Sequence, residues 1–154
     1  MLDGLIVTNG DFRRWEGDQP ADWIVPAGVS AARNERGEVS FTNNTDQRQY
    51  VNQNFTGPQL ALQAGDVLFC SAEIMAPEKS SVSLEIWMRY MDESLGKREV
   101  STPVPADGRW TTLQCAVPIV HNGIKHVWFL IGLRTPDSSC VVRRVEGRVL
   151  PAVE

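Results

Sequence analysis

Ser81-Val82-Ser83-Leu84-Glu85-Ile86-Trp87-Met88-Arg89-Tyr90-Met91 is the stretch that decides the fold. Val82, Leu84, Ile86, Met88 and Tyr90 recur at every second position, with Ser83, Glu85, Trp87 and Arg89 between them. Side chains of a strand alternate between its two faces, whereas a helix needs apolar residues at a period of 3.6. The stretch therefore predicts a strand with the aliphatic set buried and Glu85, Trp87 and Arg89 on the other face.

The same period recurs on both sides. Val39 and Phe41 alternate with polar neighbours, and Val51, Gln53 and Phe55 alternate with Tyr50, Asn52 and Asn54 before Gly57-Pro58 ends the run. Leu68, Cys70, Ala72 and Ile74 form one face of the next strand, bounded by Ala64-Gly65-Asp66 and Pro77-Glu78-Lys79-Ser80. Asp92–Lys97 reads as a turn, and Pro105-Ala106-Asp107-Gly108 leads into a strand from Trp110 to Val117. Asn122-Gly123 reads as a type I′ hairpin turn, because both residues tolerate positive φ. Segments 126–134 and 140–150 supply the last strands. No helix-period segment of useful length intervenes. The pattern predicts an all-β, antiparallel β-sandwich with jelly-roll topology. It fills residues 1–154 as a single domain, with short terminal arms at 1–8 and 149–154.

Composition narrows the function classes. The chain has 154 residues, 42% of them hydrophobic, enough for a core without metal or disulfide staples. A net charge of −4 lacks the basic footprint of nucleic-acid binding. No apolar run approaches the roughly 18 residues of a membrane span. The N-terminus carries Asp3 and no basic, apolar leader, so synthesis in the cytoplasm without export is expected. Cys70, Cys115 and Cys140 lie in strand-like runs and read as buried thiols, with one disulfide plus a free thiol as the alternative.

Asn9-Gly10-Asp11-Phe12, then Pro20 to Trp23, Gln49-x-Val51, Gly65-Asp66, Asp107-Gly108-x-Trp110-Thr111 and a Val-rich closing strand follow one another in order. In that order the chain resembles carbohydrate-binding modules of the galactose-binding-like jelly-roll class over nearly its whole length. The resemblance implies a non-catalytic module that binds glycans through surface aromatics beside polar groups. It also implies a structural calcium, held partly by an acid in the closing strand. Val142-Arg143-Arg144-Val145 puts basic residues there, and a hard cation needs oxygen ligands, so no calcium or other cofactor is expected.

The candidate glycan platform is Glu85, Trp87 and Arg89, extended by His126 and Trp128 if their strands are neighbours, which spacing leaves open. An indole stacks on the apolar face of a sugar while charged groups fix its hydroxyls. The competing reading buries Trp87 under a loop. Trp15 and Trp23 read as lids on the sandwich or as ligand aromatics. His121 and His126 lack a third ligand for zinc. Glu73 and Glu85 would suit a glycosidase only if held about 5 to 9.5 Å apart in a cleft. No Ser-His-Asp or phosphate-loop signature accompanies them, so an enzyme is not expected.

Two functional readings follow. The leading one is a decoration (cement) or accessory protein of a bacteriophage virion. It would be part of an oligomer or larger particle and contact a capsid or tail through its terminal arms and the loop residues Asn43, Asn44, Asp46 and Arg48. The alternative is a glycan-binding module or adhesin that uses the exposed tryptophans.

Overall fold

The decisive strand lies inside a sandwich of two antiparallel sheets. The computed structural model describes residues 4–151. In chain order the strands are β1 (Trp15–Glu16), β2 (Gln19–Pro20), β3 (Val29–Arg33), β4 (Val39–Asn43), β5 (Gln49–Thr56), β6 (Val67–Met75) and β7 (Val82–Tyr90). They continue with β8 (Lys97–Pro103), β9 (Thr111–Pro118), β10 (Ile124–Leu133) and β11 (Ser139–Leu150). One sheet has the order β5-β10-β7-β8 and the other β3-β4-β11-β6-β9, while β1 and β2 pair as a separate ribbon. This is the expected all-β jelly-roll sandwich.

Alternation fills the space between the sheets. Leu84, Ile86 and Met88 of β7 and Val127, Phe129, Ile131 and Leu133 of β10 meet Phe41, Leu68, Ile74, Cys140 and Val142 from the opposite sheet, all buried. Each such side chain contributes about 1.5–3 kcal/mol on leaving water.

The opening motif closes one end. Asn9 takes a positive φ of 50°, and its side-chain amide donates to the carbonyls of Arg14 and Ala21 at 2.8 and 2.7 Å. Gly10 lies so close to β11 that a Cβ there would sit 2.0 Å from the Val145 carbonyl oxygen. Phe12 is fully buried and stacks on Trp23 at 5.1 Å, and the Trp23 indole N–H donates to the Asn9 carbonyl. Trp15 donates to the Phe12 carbonyl and lies under the Arg33 guanidinium. Both tryptophans therefore pack the N-terminal segment onto the sandwich.

Three expectations are corrected. Residues 4–8 are not a free arm: Leu5 bridges Arg148, Ile6 N–H donates to the Gly147 carbonyl, and Ile6 and Val7 enter the core. Val149 and Leu150 likewise pair with Leu68 and Val67 in β11–β6. The remaining arm residues, 1–3 and 152–154, lie outside the described residues. Asn122-Gly123 does not close a hairpin, because β9 and β10 belong to opposite sheets and the turn carries the chain between them. Gly123 has the positive φ of 83°, while Asn122 accepts from the Ala64 N–H. Finally, β8 forms at 97–103, where the sequence reads a turn at Asp92–Lys97 and no strand before Trp110.

Candidate glycan-binding face

Register assembles the site on the outer face of the four-stranded sheet. Trp128 of β10 stands opposite Trp87 of β7 on one side and Asn54 of β5 on the other, and Trp87 stands opposite Glu99 of β8. Asn54, Trp128, Trp87 and Glu99 thus make one row across the sheet. A second row is Thr56, His126, Arg89 and Lys97, and a third is Asn52, Leu130, Glu85 and Ser101. The strand neighbours left open by the sequence are settled: Trp87, Arg89, His126 and Trp128 share one face.

The aromatics form a cluster and not a flat shelf. Tyr50 meets Trp87 edge-on at 4.8 Å, Trp87 meets Trp128 at 6.3 Å and 61°, and the His126 ring lies 4.4 Å from Trp128. Both tryptophans are half-buried, so neither reading of Trp87, bare or fully covered, is met.

Glu85 has a different role from the one its spacing suggests. It is buried, with Ser83 Oγ donating to Oε2 at 2.5 Å, Arg134 Nη1 donating to Oε2 at 3.1 Å and Trp87 Nε1 donating to Oε1 at 3.0 Å. Its oxygens are engaged within the protein, so it positions the Trp87 indole and does not itself reach a ligand hydroxyl. Gly132 makes this possible. A Cβ there would approach Ser83 Oγ to 2.6 Å and Glu85 Oε2 to 2.8 Å.

A polar ladder runs along β5 beside the aromatics. His126 Nε2 lies 2.9 Å from Asn54 Oδ1, Asn54 donates to Asn52 Oδ1, and Asn52 donates to the Tyr50 carbonyl. Burial, then the positive charges of Arg89 and Lys125, hold the His126 pKa below its ordinary value. The imidazole is thus neutral at pH 7, and its Nε2–H donates to Asn54. Beyond β5, Ile24 pairs with Asn52 and is 52% exposed, which extends the same face with an apolar edge.

Tyr50, Asn52, Asn54, Ser83, Arg134 and Ile24 are the face residues that sequence reasoning missed. The polar half of the β5 alternation carried the signal for the first three. Ser83 and Arg134 share the parity of Trp87 and Trp128 in their strands, so alternation pointed them to this face as well, whereas Ile24 reaches it through a tertiary pairing that has no local signature.

The other sequence candidates disperse. Among the proposed partner-contact residues, Asn44, Asp46 and Arg48 are exposed. Asn43 is wholly buried, its amide donating to the carbonyls of Gln47, Leu133 and Thr135 while Oδ1 accepts from Thr45. It builds the loop and offers nothing to a partner. Glu73 and Glu85 lie in different sheets, on opposite outer faces, so they are not a glycosidase pair. His121 packs on Tyr90, in a different row from His126. Arg143 is the extra residue of a bulge in β11, and its guanidinium lies 4.0 Å from the Trp110 ring centre, with Glu73 3.6 Å away. Among the described residues no three His, Cys, Asp or Glu side chains converge as metal ligands.

No protein-family model and no curated protein sequence matches the chain. Solved structures do. A family 4 carbohydrate-binding module superposes with a TM-score of 0.64 at 12% identity, covering 94% of this chain and 99% of that one. The C-terminal family 22 carbohydrate-binding module of Clostridium thermocellum Xyn10B, whose cleft functions in ligand binding, gives 0.60 at 13%, covering 97% and 100%. The enzymatically active domain of bacteriophage CBA120 tailspike protein 4 gives 0.62 at 9%, covering 94% of this chain but only 21% of that one. At these identities the likeness establishes the fold, a β-sandwich of the kind carbohydrate-binding modules use.

Proposed function

We propose that this protein is a non-catalytic glycan-binding module that holds a sugar chain on the outer face of its four-stranded sheet. The observation that carries the reading is the opposed pair Trp87 and Trp128, half-exposed on a sheet face and flanked by the His126–Asn54–Asn52 ladder. Indole faces supply apolar contact for a pyranose ring, and adjacent amides and imidazole supply donors and acceptors for its hydroxyls. The face is built before ligand arrives, since Glu85 and Tyr50 fix Trp87 from two sides. Preorganisation of this kind limits the ordering cost of binding. The fold's resemblance to carbohydrate-binding modules supports the same reading.

The virion-decoration reading would draw on flat apolar patches or terminal arms, and of the arm residues Leu5 to Val7 and 149–150 bond instead to neighbouring strands. The test of the glycan reading is affinity electrophoresis through gels cast with individual polysaccharides. Wild-type protein is expected to be retarded by at least one polysaccharide, and Trp128→Ala to migrate as in the empty gel. Equal retardation of the two proteins, or none of wild type on a broad panel, ends the proposal.

A further inference from the structure

The row beside the tryptophans is basic. Across β10, β7 and β8 it reads His126, Arg89, Lys97, directly next to Trp128, Trp87 and Glu99. A bulge in β10 adds Lys125 as the extra residue before His126. Arg89 is exposed and, among the described residues, makes no ion pair or side-chain hydrogen bond. Lys97 in contrast pairs with Glu99 at 3.0 Å. Arg89, Lys97 and Lys125 also line a depression of about 280 Å³ at this end of the sheet, together with Tyr90, Met91 and Glu93. With Lys97 paired to Glu99, Arg89 and Lys125 are left there against the single carboxylate of Glu93.

The two ends of the platform differ. At the Ser83 end the one arginine at the face, Arg134, is committed to Glu85. At the other end Arg89 is uncommitted, and its field and that of Lys125 help to hold the His126 imidazole neutral. Two residues along a strand, the backbones of Trp87 and Arg89 stand roughly 7 Å apart, with both side chains on the same face. That is a separation an adjoining sugar ring spans.

We infer that the glycan is acidic, a polysaccharide containing uronic acid, with one ring on Trp128 at the edge of Trp87 and the carboxylate of the next ring on Arg89. The inference rests on the proposed glycan-binding role and names the ligand class for it. A planar guanidinium matches a carboxylate with two parallel hydrogen bonds, a geometry that neutral hydroxyls do not exploit as well. The depression lies below the roughly 300–1,000 Å³ of drug-sized pockets, so it suits one acidic ring and not a whole oligosaccharide. The overall charge of −4 does not oppose this, because screening over about 8 Å at physiological salt leaves the local row dominant.

Isothermal titration of the purified protein against polygalacturonate, alginate and glucuronoxylan, with fully methyl-esterified polygalacturonate and neutral xylan for comparison, tests the inference. Wild type is expected to bind at least one uronate polymer about tenfold more tightly than the neutral glycans, with the preference shrinking between low and high salt. Arg89→Gln, a change at an exposed position, is expected to lose about five- to tenfold on the acidic glycan and little on the neutral ones. Equal affinity for acidic and neutral glycans, or an Arg89→Gln protein with unchanged preference, overturns the inference. So does tighter binding of a sulfated glycan such as dextran sulfate that Arg89→Gln leaves intact. If neutral glycans bind without charge preference and Trp128→Ala abolishes it, the glycan-binding role stands and the acidic ligand falls. If wild type binds none of the glycans, the role itself fails.

Discussion

Trp87 and Trp128 stand directly opposite each other on β7 and β10, with ring centres 6.3 Å apart and planes at 61°. Two indoles at this angle cannot both lie flat beneath one sugar ring. Trp87 is held on three sides, by Glu85 at its N–H, by Tyr50 edge-on and by Trp128. Trp128 meets Trp87 and, at 4.4 Å and 37°, His126, but unlike Trp87 it makes no side-chain hydrogen bond among the described residues, so it is the less constrained of the two.

The two tryptophans should therefore respond differently to substitution. Trp128→Ala is expected to remove glycan binding, while Trp128→Phe, which keeps a ring against Trp87 and His126 and leaves no buried polar group without a partner, should change stability by less than about 1 kcal/mol. Trp87→Phe removes the indole N–H from a buried carboxylate and should cost about 1.5–3 kcal/mol, the value of a hydrogen bond to a charged group. Urea unfolding and affinity electrophoresis on the same samples separate the effects. Equal stability losses in the two Phe variants would show that Trp87 is not pinned as described.

Glu85 and Arg134 make the most heavily desolvated ion pair at the face, with side-chain exposures of 6% and 31%. Removing the arginine leaves a buried carboxylate with only Ser83 and Trp87 as donors. Arg134→Ala is expected to cost about 3 kcal/mol, at the low end for breaking a buried pair because the guanidinium itself is partly in water. Glu85→Gln in the same chain should recover part of that loss, since the charge then left unpaired is gone. A double variant no more stable than Arg134→Ala alone would exclude charge burial as the cause.

Period-2 alternation made β5, β6, β7, β9, β10 and β11 legible, because each strand has one face in the core and one outside. β8 was not, since it is an edge strand whose residues are mostly exposed and whose pattern follows no buried face. β3 is also an edge, short and rich in alanine. At Asn122-Gly123 the local chemistry was legible in part, as the positive φ of Gly123 shows, yet no local signal says which strands a turn connects. The site was half visible for the same reason. Trp87, Arg89, His126 and Trp128 could be read as outward-facing, but their meeting depends on β7 pairing with β10, a contact between distant segments. Glu85 misled because alternation reports which way a side chain points and not whether its neighbours fold over it.

Asn43 illustrates the same limit in a loop, and it gives a sharp contrast between neighbours. Its amide satisfies three carbonyls, so Asn43→Ala is expected to destabilise the fold by about 2–3 kcal/mol, the cost of leaving buried acceptors unpaired. Asn43→Asp should be worse, because it sets a carboxylate against those carbonyl oxygens. Asp46→Ala and Arg48→Ala, exposed in the same loop, should fall within about 0.5 kcal/mol of wild type. Thermal or urea unfolding of the four variants decides this, and a neutral Asn43→Ala would contradict the buried network.

The three cysteines supply a prediction that is independent of the ligand. Cys70 and Cys115 face each other across β6 and β9, Cys140 lies in β11, and all three are free and buried. Burial pushes each thiol pKa up, that of Cys140 to about 12 from an ordinary 9.0. Only the thiolate attacks a disulfide reagent, so the folded protein at pH 8 should resist labelling by a disulfide exchange reagent until urea unfolds it. Then three thiols per chain should react. The same shift fixes the sign of an alkaline effect. Between pH 9 and about 12 the unfolded chain releases the Cys140 proton while the folded chain keeps it, so stability falls as pH rises through that window. The slope is about 1.4 kcal/mol per pH unit for one such thiol. Cys140→Ala should be less stable than wild type at pH 8 because of the lost side-chain packing, but the gap should narrow between pH 9 and 10.5. A gap that stays constant with pH would mean that Cys140 does not titrate as its burial dictates.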